Sequence, residues 1–298
     1  PSKMLSCNFT FTPSNAMKTD TGLGNVLFQI ASVYGIAKQT DRIPVFHNFI
    51  KIKETLSDLD FTHDVGIYRN LPTIDACDFV SPKIVSEDIH ESQLYLESIV
   101  DQVEKTAKTQ NISIDGYLES WRYFHVIRPI LVELFSIDDI SMSMLRHEHP
   151  ILFDESCTRV AVHIRQNYGS INYRPDFFLE VMSKYRMTIH NVVFIFFSNN
   201  IEWCKETFNS TPDTYFIHYE NDYMDLWSMT LCHEYIINHS TMGWWGAYLS
   251  QNYPSRVCYP KDVFRIYLGG LHQESIQYER RKLDHFLPSW ECIDYPAF

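Results

Sequence analysis

Long apolar runs are missing from this chain. No stretch of about 18 consecutive apolar residues occurs, so no segment reads as a membrane-spanning helix. Basic charge is also scarce: 25 Lys and Arg stand against 37 Asp and Glu, a net charge of -12. That balance argues against a general nucleic-acid binder, and an anionic small ligand would need a local cluster of Arg and His. With 10 Gly, 13 Pro and no internal repeat, neither a solenoid nor a low-complexity architecture is expected. The seven cysteines (Cys7, Cys77, Cys157, Cys204, Cys232, Cys258 and Cys292) form no Cys-x-x-Cys pair. A zinc site is therefore not expected, and the odd count leaves at least one thiol unpaired. The strand before Gly22 carries no G-x-G-x-x-G, which excludes a nicotinamide-dinucleotide fingerprint.

What is present is a large supply of core residues. Of 298 residues, 45% are hydrophobic and 15% aromatic, enough for one large or two medium domains. The clearest element is Arg159-Val160-Ala161-Val162-His163-Ile164-Arg165-Gln166. Its apolar run predicts a short buried strand. His163 and Arg165, two positions apart, leave a strand on one face. A guanidinium at a strand end calls for an anionic partner, either a neighbouring Glu or a ligand's carboxylate or phosphate.

From that strand onward, strands and helices alternate. Strands are expected at 159–165, 191–197, 215–218, 235–238 and around 256–259, and helices at 175–184, 201–208, 224–232 and 243–249. Such alternation predicts a parallel sheet covered on both faces, with ligands at the carboxyl ends of its strands. His163 with Arg165, Ser198-Asn199-Asn200, and His239-Ser240-Thr241 all fall at such ends.

Before residue 150 the pattern is weaker. A first strand is expected at 6–12. Thr21-Gly22-Leu23-Gly24-Asn25 opens a helix to about Lys38, either a tight turn before a core helix or a turn offering N–H groups to a ligand. A strand at 42–46 and helices at 52–59 and 92–106 follow. Gly116 to Phe124 forms an aromatic strand and turn, suited to a sugar face or to plain core, leading into a helix at 126–134. Residues 147–154 read as a boundary. Domains are thus expected at 1–150 and 151–265, with a tail at 266–298 packing back on the first. The chain begins at Pro1, which fits a processed protein that has lost an N-terminal segment. Asn-x-Ser/Thr triplets start at Asn8, Asn111, Asn209 and Asn238 and favour the secretory pathway weakly.

Several of these segments together resemble the GDP-fucose-dependent α-1,2-fucosyltransferases of glycosyltransferase family 11. Gly22-Leu23-Gly24-Asn25-Val26-Leu27-Phe28-Gln29 is similar to the family's opening G-L-G-N-Q-L-F-Q. Val162-His163-Ile164-Arg165 is similar to its H-x-R motif, and Phe197 to Lys205 to its F-S-D-D-I-x-W-C-K segment. Asp225 to Cys232 and Ile236 to Ala247 are similar to D-L-x-L-M-S-L-C and I-I-x-x-S-T-F-S-W-W-G-A. Gly116 to Phe124 is a looser match. The segments run in family order over residues 22 to about 250.

The resemblance implies an α/β fold of GT-B type, two Rossmann-like halves facing a central cleft. It further implies an inverting transferase that needs no metal and no cofactor beyond its donor, GDP-fucose. The acceptor would be a galactose-containing glycan, joined through a hydroxyl such as O2. No Asp-x-Asp lies in a suitable context; Asp138-Asp139 reads as a helix cap or surface pair. Arg165 would then neutralise the departing diphosphate. His163 would contact the nucleotide or phosphates. Asp225 would accept from guanine N1 and N2, or else cap the helix after it. Ser198, Ser240 and Thr241 would line the donor, and Gly24 and Asn25 would reach it from the other half. Glu119 and Asp20 are candidate general bases.

The resemblance also implies a Golgi lumenal domain whose anchor has been removed, or a cytoplasmic enzyme if the source is prokaryotic. Neither nucleic acid nor, apart from that anchor, a membrane is an expected partner. The chain departs from the pattern at three places. Gln166-Asn167-Tyr168 follow Arg165 where R-G-D-Y is usual, Asn199 and Asn200 replace two Asp, and Gly243 replaces Ser. These departures motivate two other readings, a non-catalytic carbohydrate-binding descendant and a transferase with another nucleotide sugar.

Overall fold

The computed structural model describes residues 4–7, 22–46, 66–74, 78–166, 173–264 and 276–295. The expected helix at 52–59, the end of the first strand, Asn8, Asp20, Cys77, Asn167 and Tyr168 lie outside them.

The chain divides into two compact units, Pro1–Ser136 with Arg280–Leu287, and Ile137–Glu279 with Pro288–Phe298. The first contains β1 (Met4–Cys7), α1 (Leu23–Gln39), β2 (Ile43–Pro44), β3 (Lys83–Ser86), α2 (Glu97–Lys105), β4 (Ile112–Asp115) and α3 (Arg128–Leu134). Its described strands form a parallel sheet in the order β2-β1-β4-β3. Val26, Leu27, Phe28, Ile30 and Val33 bury α1 in the core, as the helical spacing predicts. The helix expected at 92–106 begins at Glu97, because a 3-10 turn at Ile89–Glu91 and an extended Leu96 precede it.

The second unit contains α4 (Asp139–Glu148), β5 (Thr158–Ile164), α5 (Pro175–Thr188), β6 (Val192–Ser198), α6 (Ile201–Phe208), β7 (Thr214–Phe216), α7 (Asp222–Thr230), β8 (Glu234–Ile236), α8 (Thr241–Tyr248), β9 (Val257–Pro260) and β10 (Glu291–Ile293). These strands are all parallel, in the order β10-β9-β8-β5-β6-β7. β5 and β6 are buried almost end to end, because helices cover both faces of a parallel sheet. Val160, Val162, Phe194 and Phe196 meet Phe177, Phe178 and Tyr185 of α5 in one core.

The partition falls at Ser136–Ile137, earlier than the expected boundary at 147–154. The reason is α4, which sequence reading left unassigned. Asp138 is its N-cap, accepting from Ser141 N at 2.8 Å. At its far end the His149 ring stands edge-on to Tyr215 and Tyr219, with centroids 5.9 and 5.6 Å away, and Tyr219 donates its hydroxyl proton to Glu148. A last helix, α9 (Ile276–His285), is shared by the partition, with residues from Arg280 onward counted with the first unit.

The chain runs from β5 outward to β6 and β7, then crosses to β8 on the other side of β5. The carboxyl ends of β5 and β8 therefore flank a topological switch point, the usual ligand crevice of such a sheet.

Candidate functional site

The residues after β5 and β8 meet at this switch point. The Asn238 amide donates to the Arg165 carbonyl at 3.5 Å, and its own Oδ1 accepts from Ser240 N at 3.2 Å. This ties the two strand ends together. Arg165 itself is exposed, and among the described residues its guanidinium makes no hydrogen bond or ion pair. The structural alternative, a buried Arg satisfied by a neighbouring Glu, does not hold.

Two buried imidazoles flank that guanidinium. Burial first, then Arg165 and His239, push His163 down to about 3, against a small opposing contribution from Asn238. Burial and Arg165 likewise push His239 down to about 3. Both rings are neutral at physiological pH, since a charged imidazole would be desolvated and repelled by Arg165. The Tyr173 hydroxyl accepts from His239 N at 3.2 Å and hydrogen-bonds His239 Nδ1, and the rings stack at 5.3 Å.

His163 Nδ1 is buried without a hydrogen-bond partner. It packs on Gly243 in the first turn of α8, where an added Cβ would lie 2.9 Å from it. The Gly in place of Ser thus has a packing cause. The other departures pair similarly. Gln166 N donates to Asn199 Oδ1 at 2.8 Å, and Asn199 Nδ2 donates back to Gln166 O at 2.9 Å. An Asp at 199 has no proton for the second bond. Gln166 Oε1 and Nε2 also bond the backbone of Tyr173, at 2.8 and 3.1 Å.

Ser240 is the N-cap of α8, and its side chain makes no capping bond. Such a helix start leaves N–H groups for an external acceptor, and the helix dipole favours an anion there. Thr241 is half-buried beside it. Ser198 plays a different part, its buried hydroxyl accepting from Asn200 N at 3.0 Å and closing the turn into α6.

Asp225 is not the cap of α7; Asn221 is, accepting from Met224 N at 3.1 Å. One Asp225 oxygen accepts from Tyr219 N at 3.0 Å and the other lies 3.4 Å from His218 Nδ1. Burial pushes this carboxyl up to about 8, opposed by the Tyr219 N–H and reinforced by Asp222.

Gly24, Asn25 and Glu119 lie in the first unit. Gly24 is buried and Asn25 half-buried in the first turn of α1. Glu119 follows β4 and is buried, with Oε2 accepting from Gln93 Nε2 at 3.0 Å. Burial pushes it up to about 7, the Gln93 bond opposing. Glu87, after β3, is also pushed up to about 7, by burial first, with Glu119 and Glu91 adding repulsion. Sequence reading missed Glu87, Gln93, Tyr173 and Asn238 as members of these clusters. Only Asn238 stood inside a recognisable motif. Among the described residues no group of three His, Cys, Asp or Glu is placed to hold a metal ion.

The profile of glycosyl transferase family 11 matches residues 71–293. An alpha-1,2-colitosyltransferase of Escherichia coli is 29% identical over 159 residues, 48% of this chain and 52% of that protein. Galactoside alpha-(1,2)-fucosyltransferase 1 of Lagothrix lagotricha is 26% identical over 157 residues, 47% of this chain and 43% of its own. The chain spans about half the length of the curated relatives it matches. Among solved structures, fucosyltransferase NodZ from Bradyrhizobium superposes with a TM-score of 0.53 at 11% identity, covering 83% of this chain and 91% of that one. This likeness and the two parallel-sheet Rossmann-like halves make the fold one of GT-B type.

Proposed function

The chain belongs to glycosyl transferase family 11, and on that premise we propose that it transfers L-fucose from GDP-fucose to a hydroxyl of a galactose-containing glycan. The O2 position follows the α-1,2 linkage in the names of its relatives. The reaction proceeds with inversion and without a metal. One observation carries the reading: an exposed Arg165, unpaired among the described residues, beside two neutral histidines, at a switch point next to a helix start with no side-chain cap.

In this reading the diphosphate lies against Arg165 and the first turn of α8. Charge develops on the phosphate oxygens as the C1–O bond breaks, and a bidentate guanidinium stabilises it most at that moment. Ser240 and Thr241 add hydroxyl donors, and His163 and His239 contribute polar walls that do not compete for the anion. Ionised Asp225 accepts two parallel N–H groups from guanine. Glu119 takes the acceptor's hydroxyl proton as the new O–C1 bond forms, and the electron pair of the old bond leaves with GDP. Ser198 accepts from Asn200 N in its own turn, which leaves its hydroxyl proton for the donor.

The test is GDP release and glycoside formation from GDP-fucose and galactosides with EDTA present, together with calorimetric titration of GDP. Transfer that survives EDTA and disappears in Arg165→Ala supports the reading. Protein that binds no GDP overturns it. The colitosyltransferase relative favours a second reading, in which the same apparatus carries a different sugar; competing donors at equal concentration decide between them.

The Golgi lumen is the proposed compartment. Asn111, expected as a glycan acceptor, is buried, its amide donating to Val80 O at 3.3 Å. Asn209 is exposed at the end of α6, so a glycan there, detected by mass spectrometry, is the sharper test. No helix among the described residues is long and apolar enough to cross a membrane.

A further inference from the structure

Next to Glu119 the backbone adopts a conformation leucine rarely takes. Leu118 has φ +54, in the left-handed region, although its side chain is fully buried. Such strain persists only where the surroundings over-determine it, and it concentrates at functional sites. Here the surroundings are explicit. Glu87 Oε2 accepts from Tyr117 N at 2.8 Å and from Leu118 N at 3.0 Å. Gln29 of α1 donates to Gly116 O at 2.7 Å, and Ser32 donates to Leu118 O at 3.0 Å. Glu119 N donates to Ser92 O at 2.7 Å, and His285 Nδ1 bonds the Glu119 carbonyl at 2.6 Å. Gly116 is what lets Glu87 come so close, since a Cβ there would lie 2.5 Å from the Glu87 Cβ. Only one Glu87 oxygen is used. The other, Oε1, is buried and has no partner.

A turn of ordinary structural purpose would not need a buried carboxylate with one unsatisfied oxygen, because leaving that atom unpaired costs folding free energy. The arrangement does give the residue after the turn a fixed direction and an acidic neighbour. We propose that Glu87 is a positioning residue: its carboxylate holds the 116–118 turn in the conformation that aims Glu119 at the acceptor hydroxyl, and its charge stands beside Glu119 as a repelling partner. This rests on the reading of Glu119 as the base. Gln29, the last residue of the opening motif, is the matching brace from α1.

The charged and titratable groups around Glu119 can be named. Glu87 follows β3, and Glu91, in the adjoining 3-10 turn, repels Glu87. From α9 come Arg281, whose Nη1 donates to Gln93 Oε1 at 2.9 Å, and Asp284, which pairs with Arg122 at 2.9 Å. His285 also faces it; burial pushes that ring down to about 4, so it is neutral. Two carboxyls that repel as anions titrate as a pair, and removing one charge lets the other ionise at lower pH.

The test uses the full chain as wild type and as Glu119→Gln, Glu87→Gln and Glu87→Ala, measuring kcat, KM and their pH profiles, with GDP affinity by titration. Glu119→Gln should lower kcat about a hundredfold or more with GDP affinity unchanged. If it transfers like wild type, the base reading itself fails. Glu87→Gln keeps an oxygen for the two N–H groups, so it should retain more kcat than Glu87→Ala. Its acid limb should move to lower pH. Glu87→Ala should lose about tenfold or more in kcat while KM for GDP-fucose holds. If Glu119→Gln is inactive but the Glu87→Gln profile superimposes on wild type, this inference alone is overturned. That comparison stands even if Glu87→Ala does not fold.

Discussion

At the carboxyl edge of the six-stranded sheet, the conspicuous groups are two buried imidazoles and one exposed guanidinium. At the same edge of the four-stranded sheet they are two carboxyls, the half-buried Glu87 and the buried Glu119. Burial acts on both sets by one rule, disfavouring the charged form. In the second unit it drives His163 and His239 down to about 3, leaving neutral rings beside the Arg165 guanidinium. In the first unit burial drives both acids up to about 7, which poises them for proton exchange near neutrality. In the proposed mechanism one edge supplies constant charge and the other proton transfer.

The largest effect that would break this contrast lies at Arg165. Replacing it by Ala should lower transfer about a hundredfold to a thousandfold. Being exposed, it should leave thermal stability nearly unchanged. Lysine should restore part of the rate, lacking the bidentate fork. Equal activity in wild type and R165A would remove the constant-charge edge from the mechanism.

The next effect is on stability, with opposite signs for the two edges. Glu119 is about 7 when folded and near 4.5 when unfolded. The unfolded chain therefore loses its proton first, and raising pH from 4.5 through 7 removes stability. His163 is about 3 when folded and near 6.5 when unfolded. The unfolded chain gains its proton first, and lowering pH from 6.5 through 3 removes stability. Each group contributes on the order of a few kcal/mol at most. Denaturant melts of wild type against Glu119→Gln and His163→Asn, across pH 4 to 8, should show slopes of opposite sign. Parallel curves would show the edges to be alike.

A smaller effect sharpens the packing side. Gly243→Ser should cost about 1–3 kcal/mol, because its Cβ meets the His163 ring. A calorimetric Tm equal to wild type would show that the ring moves aside freely. Smallest is Asp225→Asn, expected to weaken GDP binding about tenfold. In wild type, affinity should rise with pH up to about 8, because burial keeps the free carboxyl protonated below that value and guanine needs the anion. Calorimetry in two buffers of different ionisation enthalpy should register the released proton.

Legibility differed between the units for a plain reason. β5 and β6 are seven residues each and apolar nearly throughout, so their period and bounds stand out in the sequence. Helix 201–208 was read to the residue for the same cause, with Asn200 capping it. In the first unit β3 and β4 have four residues each, too short for a periodic signal, and the strand expected at 42–46 keeps only Ile43–Pro44. β10, three residues with two exposed, escaped likewise. Motif resemblance led to Arg165, His163, Ser240 and Asp225 but could not tell a ligand group from a cap. In the fold Asn221 caps the helix that contains Asp225, and the Ser198 hydroxyl accepts from Asn200 N. In sequence the three departures from the family pattern leave room for a non-catalytic descendant or another donor; in the fold Gln166 with Asn199, and Gly243 with His163, are packing pairs.

By itself the sequence determined which residues stand at the carboxyl ends of the second unit's strands, because burial period and strand length are local properties. Only the tertiary structure decided what those residues and their counterparts are charged with, and what holds them. Glu119 takes its hydrogen bond from Gln93, 26 positions away, and its carbonyl partner from His285, 166 positions away. A protonation state is set by the whole shell of atoms that excludes water, and a chain assembles that shell from segments with no periodic relation to one another.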